Sequence, residues 1–178
     1  MVISLQEAIA EEHSKAQTLK IVAWIGVDKK RVDELIQLYL NDEYKIVQRA
    51  AWILSHVAEQ HHHLVQPYLP QIIHRMMQED IPVAVKRNGV RMLQYLEIDE
   101  AIQGDVMNLC FNFLENANET IAVRCFSMTV LTHLAHLYPE IIPELKTIIA
   151  STLELGASAG FISRAKRTMK ELATIQQE

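Results

Sequence analysis

Two cysteines, five glycines and five prolines in 178 residues exclude several common ways of building a protein. Cys110 and Cys125 stand alone, without a CxxC pair or the spacing of a disulfide framework. Both sit among apolar residues, so they read as buried thiols of a chain kept reduced. The shortage of glycine and proline, with aromatics at 6%, disfavours an all-β domain and its many turns. No uninterrupted apolar run reaches the length of a membrane-spanning helix. The opening MVISLQEAIAEEH carries acidic residues and lacks the basic-then-apolar order of a leader peptide, so the expected location is cytoplasmic. P-loop, GxGxxG, HExxH and GxSxG patterns are also missing, and no set of side chains points to an enzyme, a cofactor or a small-molecule substrate. The carboxylates Glu11, Glu12, Glu59, Glu79 and Asp80 fall near helix ends or on polar faces, where carboxylates ordinarily lie. A formal charge of −5 opposes general binding to nucleic acid, which would need a local basic patch working against the global field.

What the chain does have is 49% hydrophobic residues and a repeat. Successive shifts of 38 carry Ala51 to Gly89, Ser127 and Ala165, four small residues in the middle of four amphipathic segments. The same shift carries Leu54 to Met92 and Val130, and Ala58 to Leu96, Leu134 and Leu172. A second series runs in step: Leu69, Met107 and Leu145; Ile72, Cys110 and Ile148; Ile73, Phe111 and Ile149. Apolar residues around these points follow the three-and-four spacing of a helix that buries one stripe, and small residues at one recurring position allow close helix approach. Two helices per period are therefore expected. The first members fall roughly at 4–12, 31–41, 66–79, 101–116 and 140–154, and their partners roughly at 14–26, 45–59, 83–97, 120–136 and 161–176. Ser4 with Glu7 has the form of a capping box, Pro82 suits a first helical turn, and Gly156 with Gly160 should end one helix and loosen the link to the next.

A tandem helical hairpin of this length resembles a HEAT or HEAT-like repeat. The resemblance covers nearly the whole chain and implies a single domain, 1–178: an all-α, right-handed α-α superhelix, or solenoid, of about five hairpins. In that family an Asp in the turn pairs with an Arg or Lys early in the second helix, forming a ladder. NDEYKIVQR places Asp42 seven residues before Arg49, and EDIPVAVKR places Asp80 seven before Arg87. NANETIAVR supplies Arg124 but has Asn118 and Glu119 where the Asp would be, and the turn before Arg164 has no equivalent acid, so the ladder is expected to be incomplete toward the C-terminus.

The resemblance also implies that second helices line a concave face. Residues off the core stripe of those helices are Trp52 and His56, then Gln94, then Met128. With Arg49, Arg87 and Arg91 they compose a candidate surface for another protein or a peptide, because Trp, Arg and Met carry much contact area at modest entropic cost. Trp24, within IVAWIG, reads instead as core. The expected function is a non-enzymatic binding scaffold. The alternative is a nucleic-acid binder or an enzyme like the DNA-alkylation-repair glycosylases of the HEAT-like class, although no paired Trp and Asp recur at matching repeat positions. The locally basic SRAKRTMK near the C-terminus reads as a solvated face that could also meet an acidic partner.

HVAEQHHHLVQP concentrates four of the eight histidines. Adjacent residues on a helix point about 100° apart, so His61, His62 and His63 cannot converge on one metal without unwinding. The 38-residue register places them in the link between hairpins, and no metal site is expected.

Overall fold

In a computed structural model of the protein, which describes residues 4–175, every regular element among the described residues is helical. The elements are α1 (Leu5–Glu11), α2 (Lys15–Ile25), α3 (Lys29–Asn41), α4 (Tyr44–Gln60), α5 (His62–Val65), α6 (Leu69–Met76), α7 (Val83–Met92), α8 (Glu100–Glu115), α9 (Ile121–Ala135), α10 (Ile142–Glu154) and α11 (Ala159–Ile175). Short 3₁₀ segments, Gln66–Tyr68 and Pro139–Ile141, precede α6 and α10. Contacts divide the chain into two compact units, Met1–Ile98 and Asp99–Glu178.

Helix starts follow local chemistry. Ser4 caps α1 in a reciprocal box, with Glu7 N donating to Ser4 Oγ at 3.2 Å and Ser4 N to Glu7 Oε2 at 2.8 Å. Ser14, Asp28 and Thr120 cap α2, α3 and α9 with side-chain oxygens. The expected helix at 66–79 begins in steps instead, as α5, a 3₁₀ turn and then α6. Pro67 and Pro70 each lack an N–H and fit only a first turn, so the helix starts more than once. Helix α7 stops at Met92 rather than near 97, because Gln94 N and Tyr95 N bond three residues back in turns. Leu93 and Leu96 are buried in those turns, so the apolar rhythm outlasts the helix. At Gly156, φ is 91°, a left-handed exit that ends α10, whereas Gly160 lies inside the first turn of α11.

In the first unit α4 is the central element, packed by α1, α2, α3 and α7. Ala50, Ala51, Leu54, Val57 and Ala58 are fully buried along it. In the second unit α9 has that place, between α8 and α11, with Val123, Val130, Leu131 and Ala135 fully buried. Ala51, Gly89, Ser127 and Ala165 all lie in the core, in agreement with the 38-residue register. The reason is clearest at Gly89, where a Cβ would stand 2.0 Å from Met76 Sδ and 2.8 Å from its Cγ. A residue without a side chain lets α6 and α7 come together there with Met76 in its present position.

A candidate binding surface on α4 and α7

Helices α4 and α7 lie side by side and leave a cleft of ≈ 310 Å³ lined by His13, Gln48, Trp52, Ala84, Arg87 and Asn88. Trp52 is half-buried and held from two sides. The His13 ring meets it edge-on at 5.6 Å and the His56 ring lies tilted at 6.3 Å. Gln48 precedes Trp52 by one helical turn, so both side chains project on one face of α4. From α7, Asn88 is almost fully buried and donates to the Ala84 carbonyl at 2.9 Å, while Arg87 is exposed. Among the described residues Arg87 forms no hydrogen bond or ion pair, so its five donors face solvent.

Behind the cleft, polar groups tie the two helices together. Arg91 donates through Nη2 to Glu59 Oε2 at 2.6 Å and through Nη1 to Ser55 Oγ at 3.0 Å. The Ser55 oxygen lies 2.8 Å from the Trp52 carbonyl and 3.3 Å from Asn88 Oδ1. Tyr95 OH reaches Glu59 Oε1 at 3.3 Å, and Gln94 Nε2 donates to the Arg91 carbonyl at 3.3 Å. Burial holds the His56 imidazole below its ordinary range, and Arg91 adds to this; Glu59, 3.4 Å from Nδ1, works in the opposite direction. Glu59 thus neutralises Arg91 and leaves Arg87 as the open charge at the rim.

Trp52, His56, Arg87, Arg91 and Gln94 are brought together on this surface. Met128, on α9, is fully buried and offers no surface to a partner, a correction with a simple cause. Helix α9 is covered by both α8 and α11, so a residue off its main stripe is enclosed as well. Arg49 is half-buried and committed elsewhere, donating from Nη1 to the carbonyls of Ile9 at 2.8 Å and Ala10 at 2.9 Å. His13, Gln48 and Asn88 were not singled out from the sequence. Helical spacing from Trp52 could have found Gln48, but nothing in the repeat pattern marks His13, which lies in the link between α1 and α2.

The Asp–Arg ladder is also corrected. Among the described residues neither Asp42 with Arg49 nor Asp80 with Arg87 forms an ion pair. Asp42 instead accepts from Glu43 N at 2.6 Å. Arg124 donates from Nε to the Leu114 carbonyl at 2.8 Å and from Nη2 to Thr152 Oγ1 at 3.0 Å, and its guanidinium lies 4.9 Å from the Phe161 ring centre. Arg49 and Arg124 bond carbonyls near helix ends and a hydroxyl rather than turn carboxylates, and Arg87 bonds neither among the described residues. Arg124 is moreover one residue off the 38-residue register that relates Arg49 to Arg87, so it is not their equivalent. Trp24, read as core, is 46% exposed, with the Arg31 guanidinium 4.1 Å above its ring. The buried stripe of α2 is Ile21, Val22 and Ile25, which leaves Trp24 on its flank. His61 ends α4, and His62 and His63 open α5, at a boundary between hairpins.

In comparison with known proteins, the model of the HEAT repeat domain family fits residues 5–172. No curated protein and no solved structure matches the chain.

Proposed function

The chain belongs to the HEAT repeat domain family and is a helical repeat scaffold; on that premise we propose that it is non-enzymatic and docks another protein or a peptide on the α4–α7 surface. The observation that carries this reading is Trp52 at the edge of a polar cleft whose one guanidinium among the lining residues, Arg87, has no hydrogen-bond or ion-pair partner among the described residues. An aromatic wall, an open cation and the Gln48 amide suit an extended peptide that brings an apolar side chain beside a carboxylate. The cleft has no carboxylate among its lining residues, so it offers no general acid or base of the kind a glycosylase-like alternative requires. Residues 1–178 act in this reading as one repeat domain, supported by a family match that runs across both units. Two buried free cysteines suit a reducing cytoplasm, and among the described residues no helix is long and apolar enough to cross a membrane.

The test is selection of peptides from a random display library on the immobilised protein, followed by affinities for the wild type and Trp52→Ala. Selected peptides that bind the two proteins equally well would remove the α4–α7 surface from consideration.

A further inference from the structure

The second unit has a smaller cleft between α9 and α11, lined by Thr129, Thr132, Arg164, Arg167, Thr168 and Glu171. Its volume is ≈ 120 Å³. That is well below the roughly 300–1,000 Å³ of a site for a drug-sized molecule, and suits a single small group. Its donors are unusual for an acidic chain. Arg164 donates through Nη1 to the Thr129 hydroxyl, while its Nε is buried with no hydrogen-bond partner. Arg167 is exposed and forms no hydrogen bond or ion pair among the described residues. Thr168 is 3% exposed, lines the cleft, and its hydroxyl is likewise unengaged among the described residues. Glu171 forms the rim and is drawn to His136, 3.4 Å away, rather than to either arginine.

The first unit supplies an internal comparison. By two shifts of 38, Arg91 corresponds to Arg167. Arg91 has its carboxylate, Glu59, at 2.6 Å, whereas Arg167 has none. Arg124 on the same helix as Thr129 is also held by neutral acceptors alone. The Cys125 thiol, pushed up by burial, is pulled back by Arg164, Arg124 and Arg167, so three positive charges act on one stretch of α9. A half-buried Arg164 bonded only to a hydroxyl, beside an exposed Arg167 without a carboxylate partner, leaves a deficit of negative charge that a bound anion would fill.

We propose that the α9–α11 cleft binds one tetrahedral, phosphate-type oxyanion of the monoester or free phosphate kind, gripped by Arg164 and Arg167 with the Thr168 hydroxyl. The narrow cleft admits one phosphate group, which a terminal phosphate or the free ion can present and a phosphodiester inside a continuous backbone cannot. The source is either free phosphate or a phosphorylated side chain presented by a peptide. This site is independent of the α4–α7 surface.

Chemical-shift titration of the full chain, at ionic strength matched with chloride, tests the proposal with three probes: inorganic phosphate, a phosphoserine peptide with its unphosphorylated twin, and a short DNA duplex. Saturable shifts confined to α9 and α11 are expected with phosphate or the phosphopeptide. Arg167→Ala, at an exposed position, and the isosteric Thr168→Val should each weaken binding at least about tenfold, as expected for loss of a charge-assisted hydrogen bond. Glu171→Gln, which removes the rim carboxylate, should tighten it, an effect that a merely structural role would not produce. Tighter binding of the phosphopeptide than of phosphate assigns the source to a polypeptide, and equal binding assigns it to the free ion. Three results overturn the proposal: no saturable response to either phosphate probe, an affinity unchanged in Arg167→Ala, or a DNA duplex that binds where both phosphate probes fail.

Discussion

Arg49 Nη1 sits 2.8 Å from the carbonyl oxygen of Ile9, so a guanidinium on α4 closes the C-terminal turn of α1. Helix α1 has seven residues and is too short to persist without tertiary support, and this bond joins its frayable end to the most buried helix of the unit.

Arg49→Met should therefore cost about 1.5–3 kcal/mol, the range for hydrogen bonds to charged groups. Amide exchange should accelerate selectively in α1. Asp42→Ala, at the position the ladder would have made its partner, should stay within about 0.5 kcal/mol. Urea denaturation of both variants decides the matter, and a matching loss in Asp42→Ala would restore the ladder.

At Gly89 an added methyl meets the side chain of Met76, which is 2% exposed and would have to repack within the core. Overpacking of about 1–3 kcal/mol outweighs a gain in helix propensity of roughly 1 kcal/mol, so Gly89→Ala should be net destabilising. Adding Met76→Ala should make the double variant less damaged than the sum of the single changes. Leu54→Ala, at a fully buried site on α4, should cost about 2–5 kcal/mol. Thermal melts of the wild type, the two single variants and the double variant would expose additivity between Gly89 and Met76 if the contact is immaterial, and the melt of Leu54→Ala checks the core.

For any peptide selected on the α4–α7 surface, Trp52→Ala should reduce binding by about 2 kcal/mol or more, with little loss of stability because the side chain is only half-buried. Arg87→Glu should weaken binding further for acidic peptides and less for neutral ones. Calorimetric titration at two salt concentrations separates these effects, since the Arg87 contribution is exposed and screened.

The His56 imidazole titrates below its ordinary value of 6.5 in the folded protein. The unfolded chain then binds more protons between the folded value and 6.5, so this histidine's contribution to stability is complete above 6.5 and is lost as pH falls through that window. His133, depressed chiefly by burial, acts in the same direction. Unfolding free energy should decline on acidification from pH 7, and His56→Gln should flatten the slope. A slope identical in the variant would assign the effect to other groups.

Much of this architecture could be read from the sequence because a repeat states its own alignment. Ala51, Gly89, Ser127 and Ala165 are buried where periodicity put them, and most helix limits fall within a few residues of expectation. Failures came where a single helix was read without its neighbours. Met128 looks like a surface residue along α9 alone, and its burial depends on α11, which arrives from 31 residues further along the chain. Arg49 looks like the partner of a nearby Asp, yet it bonds carbonyls 39 and 40 residues away. His13 joins Trp52 only through the packing of α1 and α2 on α4, which no local pattern encodes. The core is a property of spacing and was legible; the candidate surface depends on which links bring unlike segments together, and spacing alone does not encode that.

The Gly89 contact also separates two neighbouring thioethers in their response to oxidants. Met77 is 54% exposed and open to conversion to the sulfoxide, while Met76, 2% exposed with its sulfur against Gly89 of α7, is shielded from solvent-borne oxidants. Met77 therefore ages with the solvent, and Met76 can be oxidised only when α6 and α7 part. The pair forms a built-in clock in which one residue records exposure to peroxide and the next records opening of the fold.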